Sequence, residues 1–309
     1  MAADRQVDLI LGADGFLGAN LRAYFEAQGV SFIGVGKESG DFRELNRVLH
    51  LFSELPKLHR IFHVTTFQRT GPVQYEMPAE LLTDNARIHL NILQAWKTFQ
   101  PQAKLISTGS SCAYPESNEP ISERMFQAGP LHQSVRGYGL AKQLLAVGSE
   151  TYGTQYGLSW LHCILATVFG PHDHLEPHRS HFIGGMAVRA IREKREGKKI
   201  FSVWGGPDVV RECLYVEDQI EAILSAERHF ENQIVNCAAN ASVTVGQVAA
   251  GIRDALNWDA EICYPEGTFQ STARKTLDSS VFLARTGWKP KYALQDGLEL
   301  LLRDLQSRV

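Results

Sequence analysis

The sequence has no run approaching 18 consecutive apolar residues, which excludes an ordinary membrane-spanning helix. Its first residues, MAADRQVDLILG, lack the basic start and long apolar core of a secretory signal. A formal net charge of -3 gives no basic footprint for nucleic acid. Cysteine is sparse: Cys112, Cys163, Cys213, Cys237 and Cys263 are scattered, odd in number, and form neither a CxxC pair nor a zinc-ligand spacing. They are expected to be reduced thiols in a cytoplasmic protein, with no metal site. Internal repeats and low-complexity linkers are also missing. What remains is a 309-residue chain, 44% hydrophobic, sufficient for one large domain or for one domain with a smaller partner.

Hydrophobic patterning then supplies the elements. VDLILG (7–12) is a short apolar run closed by glycine, and FLGANLRAYFEAQG continues it with helical spacing. VSFIGVG (30–36), RIFHVTTF (60–67), AKLISTGS (103–110) and LSWLHCILATVFGP (158–171) read as further strands, with PAELLTDNARIHLNILQAWKTFQ and YGLAKQLLAVGSETYGTQYG as helices between them. Strands alternating with helices predict an α/β fold, a doubly wound parallel sheet. The alternation weakens after about Pro171, where Pro, His, Gly and charged residues cluster around shorter elements. Residues 1–170, with 208–237 returning to the same domain, are expected to form a dinucleotide-binding Rossmann-type domain. Residues 171–207 and 238–309 are expected to form a smaller α/β substrate-binding region.

LGADGFLG places Gly12, Gly15 and Gly18 at GxxGxxG spacing between the first strand and the first helix. The first glycine permits the tight turn, the second lets backbone N–H groups approach a pyrophosphate, and the third lets the helix pack close to the sheet. Phe16 and Leu17 open that helix. An acid at the end of the second strand would hydrogen-bond an NAD ribose; this chain has Gly36, Lys37 and Glu38 there. Lys37 favours the 2′-phosphate of NADP(H), although Glu38 beside it keeps NAD(H) as the alternative. Asp41 and Phe42 are the expected neighbours of the adenine.

YGLAK sets Tyr138 and Lys142 four residues apart, on one face of a helix. A phenol is a poor acid–base group at neutral pH, and a neighbouring ammonium is expected to lower its pKa. Ser110, at the end of the preceding strand, can reach the same substrate oxygen. Ser110, Tyr138 and Lys142 therefore form a candidate acid–base site beside a nicotinamide. YxxxK alone is common by chance; after a GxxGxxG turn and a strand-end serine it is specific.

With these motifs the chain resembles the extended short-chain dehydrogenase/reductases, the NAD-dependent epimerase/dehydratase family, over essentially its whole length. Most of these enzymes act on nucleotide-linked sugars. Asn85 matches the family's usual asparagine on the helix before the serine strand, with an expected structural or cofactor-supporting role. The family's dehydratases carry an Asp–Glu pair after the active-site Ser or Thr; here Ser111 and Cys112 stand at those positions. Without the family, Cys112 would be read as packing. Within it, SSCAYP, FGPHDHLEPHRSHFIGGM, VWGGPDVVRECLYVED and ARKTLD resemble the GDP-L-fucose synthase branch, whose enzymes epimerise C3 and C5 of a 4-keto sugar and then reduce C4. That resemblance implies Cys112 and His181 as the proton-exchanging pair. It also implies Ser111, Thr167, Trp204, Arg211 and Lys275 as contacts to a nucleotide-sugar substrate, with an arginine suited to the diphosphate.

The departures are as specific as the matches. Ala13 and Asp14 occupy the glycine turn where the branch commonly has a basic pair, and FQRTGPVQY (67–75) replaces a glycine-rich sugar-facing segment. The expected activity is thus an NADP(H)-dependent reductase, with or without 3,5-epimerisation, of a GDP-linked or CDP-linked 4-keto-6-deoxy sugar or heptose. The expected assembly is a homodimer. A nucleotide-sugar 4-epimerase with tightly held NAD would not need Cys112 and His181, and a non-catalytic NADP sensor would not need Ser110, Tyr138 and Lys142.

Overall fold

A computed structural model describes residues 6–70, 73–176, 178–265 and 273–309. In chain order the elements begin β1 (Asp8–Leu11), α1 (Phe16–Gln28), β2 (Phe32–Val35), α2 (Leu45–Glu54), β3 (Arg60–His63), α3 (Val73–Glu76), α4 (Pro78–Phe99), β4 (Lys104–Ser110), α5 (Arg136–Tyr156), β5 (Trp160–Leu165) and β6 (Thr167–Phe169). There follow α6 (Phe182–Arg195), β7 (Ile200–Ser202), β8 (Val210–Tyr215), α7 (Val216–His229), β9 (Gln233–Cys237), β10 (Ser242–Thr244), α8 (Val245–Ala255), β11 (Glu261–Cys263), β12 (Arg274–Lys275), α9 (Ser280–Thr286) and α10 (Leu294–Arg308).

The central sheet has the order β2-β1-β3-β4-β5-β9. Every neighbouring pair in it is parallel, as the alternating pattern requires. Its inner strands are largely buried because both faces are covered. Leu9 and Leu11 of β1 point into a layer with Val48 and Phe52 of α2 and Ile92 and Trp96 of α4. Ile10, between them, faces the opposite layer with Phe25 of α1 and Ile220 of α7. Trp96 is fully buried, and its indole N–H donates to the Ala103 carbonyl at 2.8 Å, so the largest core side chain leaves no polar atom unpaired. The strand order reverses between β1 and β3, and in such sheets a crevice opens there beyond the carboxyl ends of the strands.

The second region is organised by β8, which changes partners along its length. Val210–Glu212 pair with β10 on one side, while Val210 and Arg211 pair with β12 on the other; Cys213–Tyr215 pair with β6. β7 and β11 form a separate pair. We propose that the dinucleotide-binding unit comprises the six-stranded sheet with its flanking helices, α7 and β9 included. The smaller region then takes β6 and β8, which the sequence reading had grouped with the first unit.

Candidate active site

One cavity of about 1300 Å³ lies where these two parts meet. Its floor is formed by residues at the carboxyl ends of the central strands: Gly12 after β1, Val64 to Thr66 after β3, Ser110 at the end of β4, and Ala166 and Thr167 after β5.

The glycine turn shows why no other residue serves there. Gly12 has φ +90°, and a Cβ on it would stand 2.7 Å from the Thr65 backbone. A Cβ on Gly18 would stand 2.0 Å from the Gly12 carbonyl oxygen, so this glycine acts in packing and does not line the cavity. Gly15 is the N-cap of α1; it supplies no side-chain cap, and the first turn holds no acid. Gly15, Phe16 and Leu17 line the cavity. An uncapped helix start of this kind is suited to a pyrophosphate. Lys37 also lines the cavity, and its backbone N–H donates to Asp14 Oδ2 at 3.0 Å. Phe42 does so too, whereas Asp41 does not: its carboxylate is taken up by Arg43 at 2.6 Å, which also holds Asp84 at 2.8 Å. Asn85 is fully buried and ties down the loop after β3, accepting from Thr66 Oγ1 and the Phe67 N–H and donating to the Phe67 carbonyl.

Ser110, Tyr138 and Lys142 share this cavity. Ser110 ends β4 and caps the short 3₁₀ turn Ser111–Ala113, its Oγ accepting the Cys112 N–H at 3.2 Å. That leaves the serine hydrogen to donate elsewhere. Tyr138 and Lys142 are on the first turns of α5. Two glycines flank the tyrosine because the helix start touches backbone on both sides: a Cβ at Gly137 would lie 2.2 Å from the Pro78 carbonyl oxygen, and one at Gly139 2.3 Å from that of Cys112. Lys142 is buried; its Nζ donates to the Thr108 carbonyl at 2.9 Å and stands 5.7 Å from the Tyr138 ring centroid. Burial brings its pKa down to about 8. The expected depression of the tyrosine pKa is not found. Desolvation, reinforced by Cys112, pushes the phenol above its ordinary value against an opposing hydrogen bond with Thr66. Tyr138 is therefore held as the neutral phenol, the form that gives up a proton.

Cys112 and His181 line the same cavity, each with a charged partner. The Cys112 thiol is 3.1 Å from Lys275 Nζ. Burial alone would raise its pKa, but Lys275, Ser110 and Arg211 together bring it below the ordinary thiol value. His181 is the N-cap of α6; its Nδ1 is 2.8 Å from Asp173 Oδ1, and its ring packs on Phe16 with centroids 4.8 Å apart. Ser111, Thr167, Trp204, Arg211 and Lys275 complete the sequence-derived set, and all five line the cavity. Trp204 is 49% exposed, with the Arg189 guanidinium stacked over its ring at 4.5 Å.

The lining is strongly cationic. Lys37 and Arg43 follow β2; Arg69 and Arg179 lie on loops joined by the Thr70 N–H to His178 carbonyl bond; Arg189 and Arg192 project from α6; Lys142, Arg211 and Lys275 complete the set. Against these nine cations the described lining residues include one carboxylate, Asp14. A chain with net negative charge has gathered positive charge where polyanionic ligands would sit.

Residues 9–238 match the NAD dependent epimerase/dehydratase family. The chain belongs to that family. It is 28% identical to a protein of Drosophila melanogaster named as a probable GDP-L-fucose synthase, over 93% of this chain and 92% of the relative. Among solved structures it is similar to a GDP-6-OMe-4-keto-L-xylo-heptose reductase from C. jejuni, with a TM-score of 0.89 at 18% identity, covering 99% of each chain. It is also similar to a GDP-L-fucose synthetase from Naegleria fowleri bound to NADP, with a TM-score of 0.86 at 22% identity, covering 99% of this chain and 96% of that one. At these identities the two structures bear on the fold. The glycine turn, the uncapped start of α1 and the cations beyond β2 fit the dinucleotide of an epimerase/dehydratase family member, NADP(H) with NAD(H) as the alternative.

Sequence reasoning missed Asp173, Thr66, Arg43 and Arg189. Thr66 follows β3 and touches Tyr138 only because parallel strands bring β3 and β4 side by side. Arg189 lies two helical turns beyond His181, a spacing that would have marked it once α6 was known to start there. Asp173 is separated from His181 by a loop, so no periodicity could have joined them. Within the sugar-facing segment 67–75, Phe67, Gln68, Arg69, Thr70 and Gln74 line the cavity, while Gly71 and Pro72 lie outside the described residues. Among the described residues no helix is long and apolar enough to cross a membrane, and no group of three or more His, Cys, Asp and Glu could hold a metal ion.

Proposed function

We propose that this protein is an NADP(H)-dependent reductase of a GDP-linked 4-keto-6-deoxy sugar or heptose, and that it exchanges protons at C3 and C5 before reducing C4. The observation that carries this reading is a single cationic cavity lined by both Ser110, Tyr138 and Lys142 and the pair Cys112 and His181. Gly12, Gly15, Phe16, Leu17 and Lys37 would hold the cofactor, which when bound supplies hydride to C4. Ser110 Oγ–H and Tyr138 O–H would donate to the C4 oxygen, and Tyr138 would pass its proton to the developing alkoxide. Lys142 would secure the nicotinamide ribose. Cys112, drawn toward thiolate by Lys275, would remove an acidic hydrogen next to the C4 ketone, and His181 would return one. Ser111, Thr167, Trp204, Arg211 and Lys275 would bind the nucleotide sugar, its diphosphate matched to the cations.

Cys112 and His181 on the cavity support this reading over the rival 4-epimerase, which needs neither. The protein is expected to work in the cytoplasm as a homodimer. Leu90 and Phe99 of α4 and Leu140 and Tyr156 of α5, large side chains left exposed on two helices packed together, support that pairing.

The test is to supply NADPH with a GDP-linked 4-keto-6-deoxyhexose and, separately, NAD with UDP-glucose. Oxidation of NADPH with loss of the ketone supports the proposal. Interconversion of UDP-glucose and its 4-epimer, without turnover of the keto sugar, would replace it.

A further inference from the structure

Asp173 lies in the same FGPHDHLEPHRSHFIGGM stretch as His181 but was given no role there, yet it is fully buried beside the site. Its Oδ1 lies 2.8 Å from His181 Nδ1 and accepts the His174 N–H at 2.8 Å; its Oδ2 accepts the His181 N–H at 3.0 Å. Space for this carboxylate is kept by a glycine in α6, since a Cβ at Gly184 would stand 2.1 Å from Oδ2. The start of a helix also favours the negative charge.

The segment carrying Asp173 is fixed from two helices. Arg308 of α10 donates to the Asp173 carbonyl at 2.8 Å, Asp304 accepts the His172 N–H at 3.3 Å, and Asn20 of α1 donates to the Pro171 carbonyl at 2.8 Å. The ring of His181 is held on its other side by Phe16. His172, His174, Glu176, His178 and Arg179 are the other charged or titratable groups of this loop.

A carboxylate only accepts hydrogen bonds. Facing one, His181 Nδ1 must carry a hydrogen, and the neutral ring then keeps its lone pair on Nε2. We propose that Asp173 is a positioning residue, holding His181 in the Nδ1–H tautomer so that Nε2 is the atom that exchanges a proton with the sugar carbon. This rests on the reading of His181 as a proton-exchange group. In the step itself the Nε2–H bond breaks and a C–H bond forms at the carbon whose hydrogen left from the other face. Imidazolium becomes neutral imidazole, with its lone pair on Nε2 and its remaining hydrogen on Nδ1. A purely structural cap would need only the bond from the His181 N–H.

The experiment uses full-length protein labelled with ¹⁵N-histidine, with His181 identified by the signal lost in His181→Asn. Its nitrogen shifts should report Nδ1–H and an unprotonated Nε2. Asp173→Asn presents an NH₂ to one of the donors now facing the carboxylate, and should disturb that tautomer. With a GDP-linked 4-keto sugar in D₂O and no reduced cofactor, it should also slow deuterium entry at C3 or C5 by about 10²-fold. NADPH binding, followed by fluorescence, reports whether the variant is folded. An Nε2–H tautomer in the wild type would overturn the proposal, as would exchange by a folded Asp173→Asn within about threefold of wild type. If the variant does not fold, the wild-type tautomer decides. If wild type exchanges no deuterium, the proton-exchange reading fails, while the tautomer still decides the role of Asp173.

Discussion

Ser110, Tyr138 and Lys142 come from one strand end and the helix that follows it, whereas His181, Arg211 and Lys275 come from the cap of α6, the start of β8 and a two-residue strand, β12. The first wall of the cavity is fixed by backbone: parallel register, strand ends, and glycines that admit no Cβ. The second wall is fixed by side chains reaching across loops, with Asp173 on His181 and Lys275 on Cys112. Backbone-built chemistry is therefore legible from spacing, while side-chain-built chemistry depends on contacts between residues far apart in sequence. Under the proposed function the same contrast would separate the chemistry: the backbone-built wall would hold the groups for hydride transfer, and the side-chain-built wall would supply partners for proton exchange.

The largest expected effect tests the first wall. Tyr138→Phe keeps the ring against Lys142 and removes the proton donor, so the rate of C4 reduction should fall by about 10² to 10⁴. Steady-state NADPH oxidation with a GDP-linked 4-keto sugar measures it; a near-normal rate would detach Tyr138 from the reduction.

How much of each wall was legible follows from this. β1, α1 and the GxxGxxG turn could be read directly, because the tight turn dictates glycine at Gly12 and close packing dictates it at Gly18. Tyr138 and Lys142 could be read from helical spacing. The pKa of Tyr138 could not. A lysine four residues on suggests depression, but burial and Cys112 dominate, and Lys142 directs its ammonium to the Thr108 carbonyl. The pairing of Asp41 was illegible for a similar reason: position along the chain puts it near the adenine, while its ion pair with Arg43 depends on side-chain direction. Cys112, His181, Arg211 and Lys275 became legible through family resemblance, since nothing in their spacing joins them. The place of β6 and β8 was not legible, because a strand pattern reveals a strand but not its partner.

A smaller effect is expected from Gly139→Ala. The added methyl would meet the Cys112 carbonyl, so the start of α5 must shift and carry Tyr138 with it. C4 reduction should drop by about 10²-fold, as for a small misplacement of a reacting group. NADPH affinity, set mainly at the glycine turn, should change little; equal losses in both would show that the two parts of this wall are not independent.

The second wall is sharpened by Lys275→Met. Without the ammonium, burial weighs more heavily on the Cys112 thiol, and its pKa should rise. The pH dependence of iodoacetamide labelling at Cys112, followed by peptide mass spectrometry, should show its midpoint below that of an ordinary thiol in wild type and higher in the variant. An unchanged midpoint would assign Lys275 to substrate binding alone.

The smallest effect concerns cofactor choice. Lys37 is exposed, so its replacement by Ala should reduce the preference for NADPH over NADH by about three- to tenfold in kcat/KM. Equal use of both cofactors by wild type would show that Asp14, which already holds the Lys37 N–H, cancels the lysine charge.

The concentration of cations around one opening has a consequence for traffic. A field of this sign accelerates the arrival of diphosphates and falls off with added salt, so association should be fastest at low ionic strength. The unliganded walls repel one another, and whichever polyanion arrives first relieves part of that repulsion. Oxidised cofactor and product nucleotide carry much the same charge as the molecules they replace, so the field that hastens entry also slows departure. Turnover of such an enzyme would be governed by how quickly its own charge lets go.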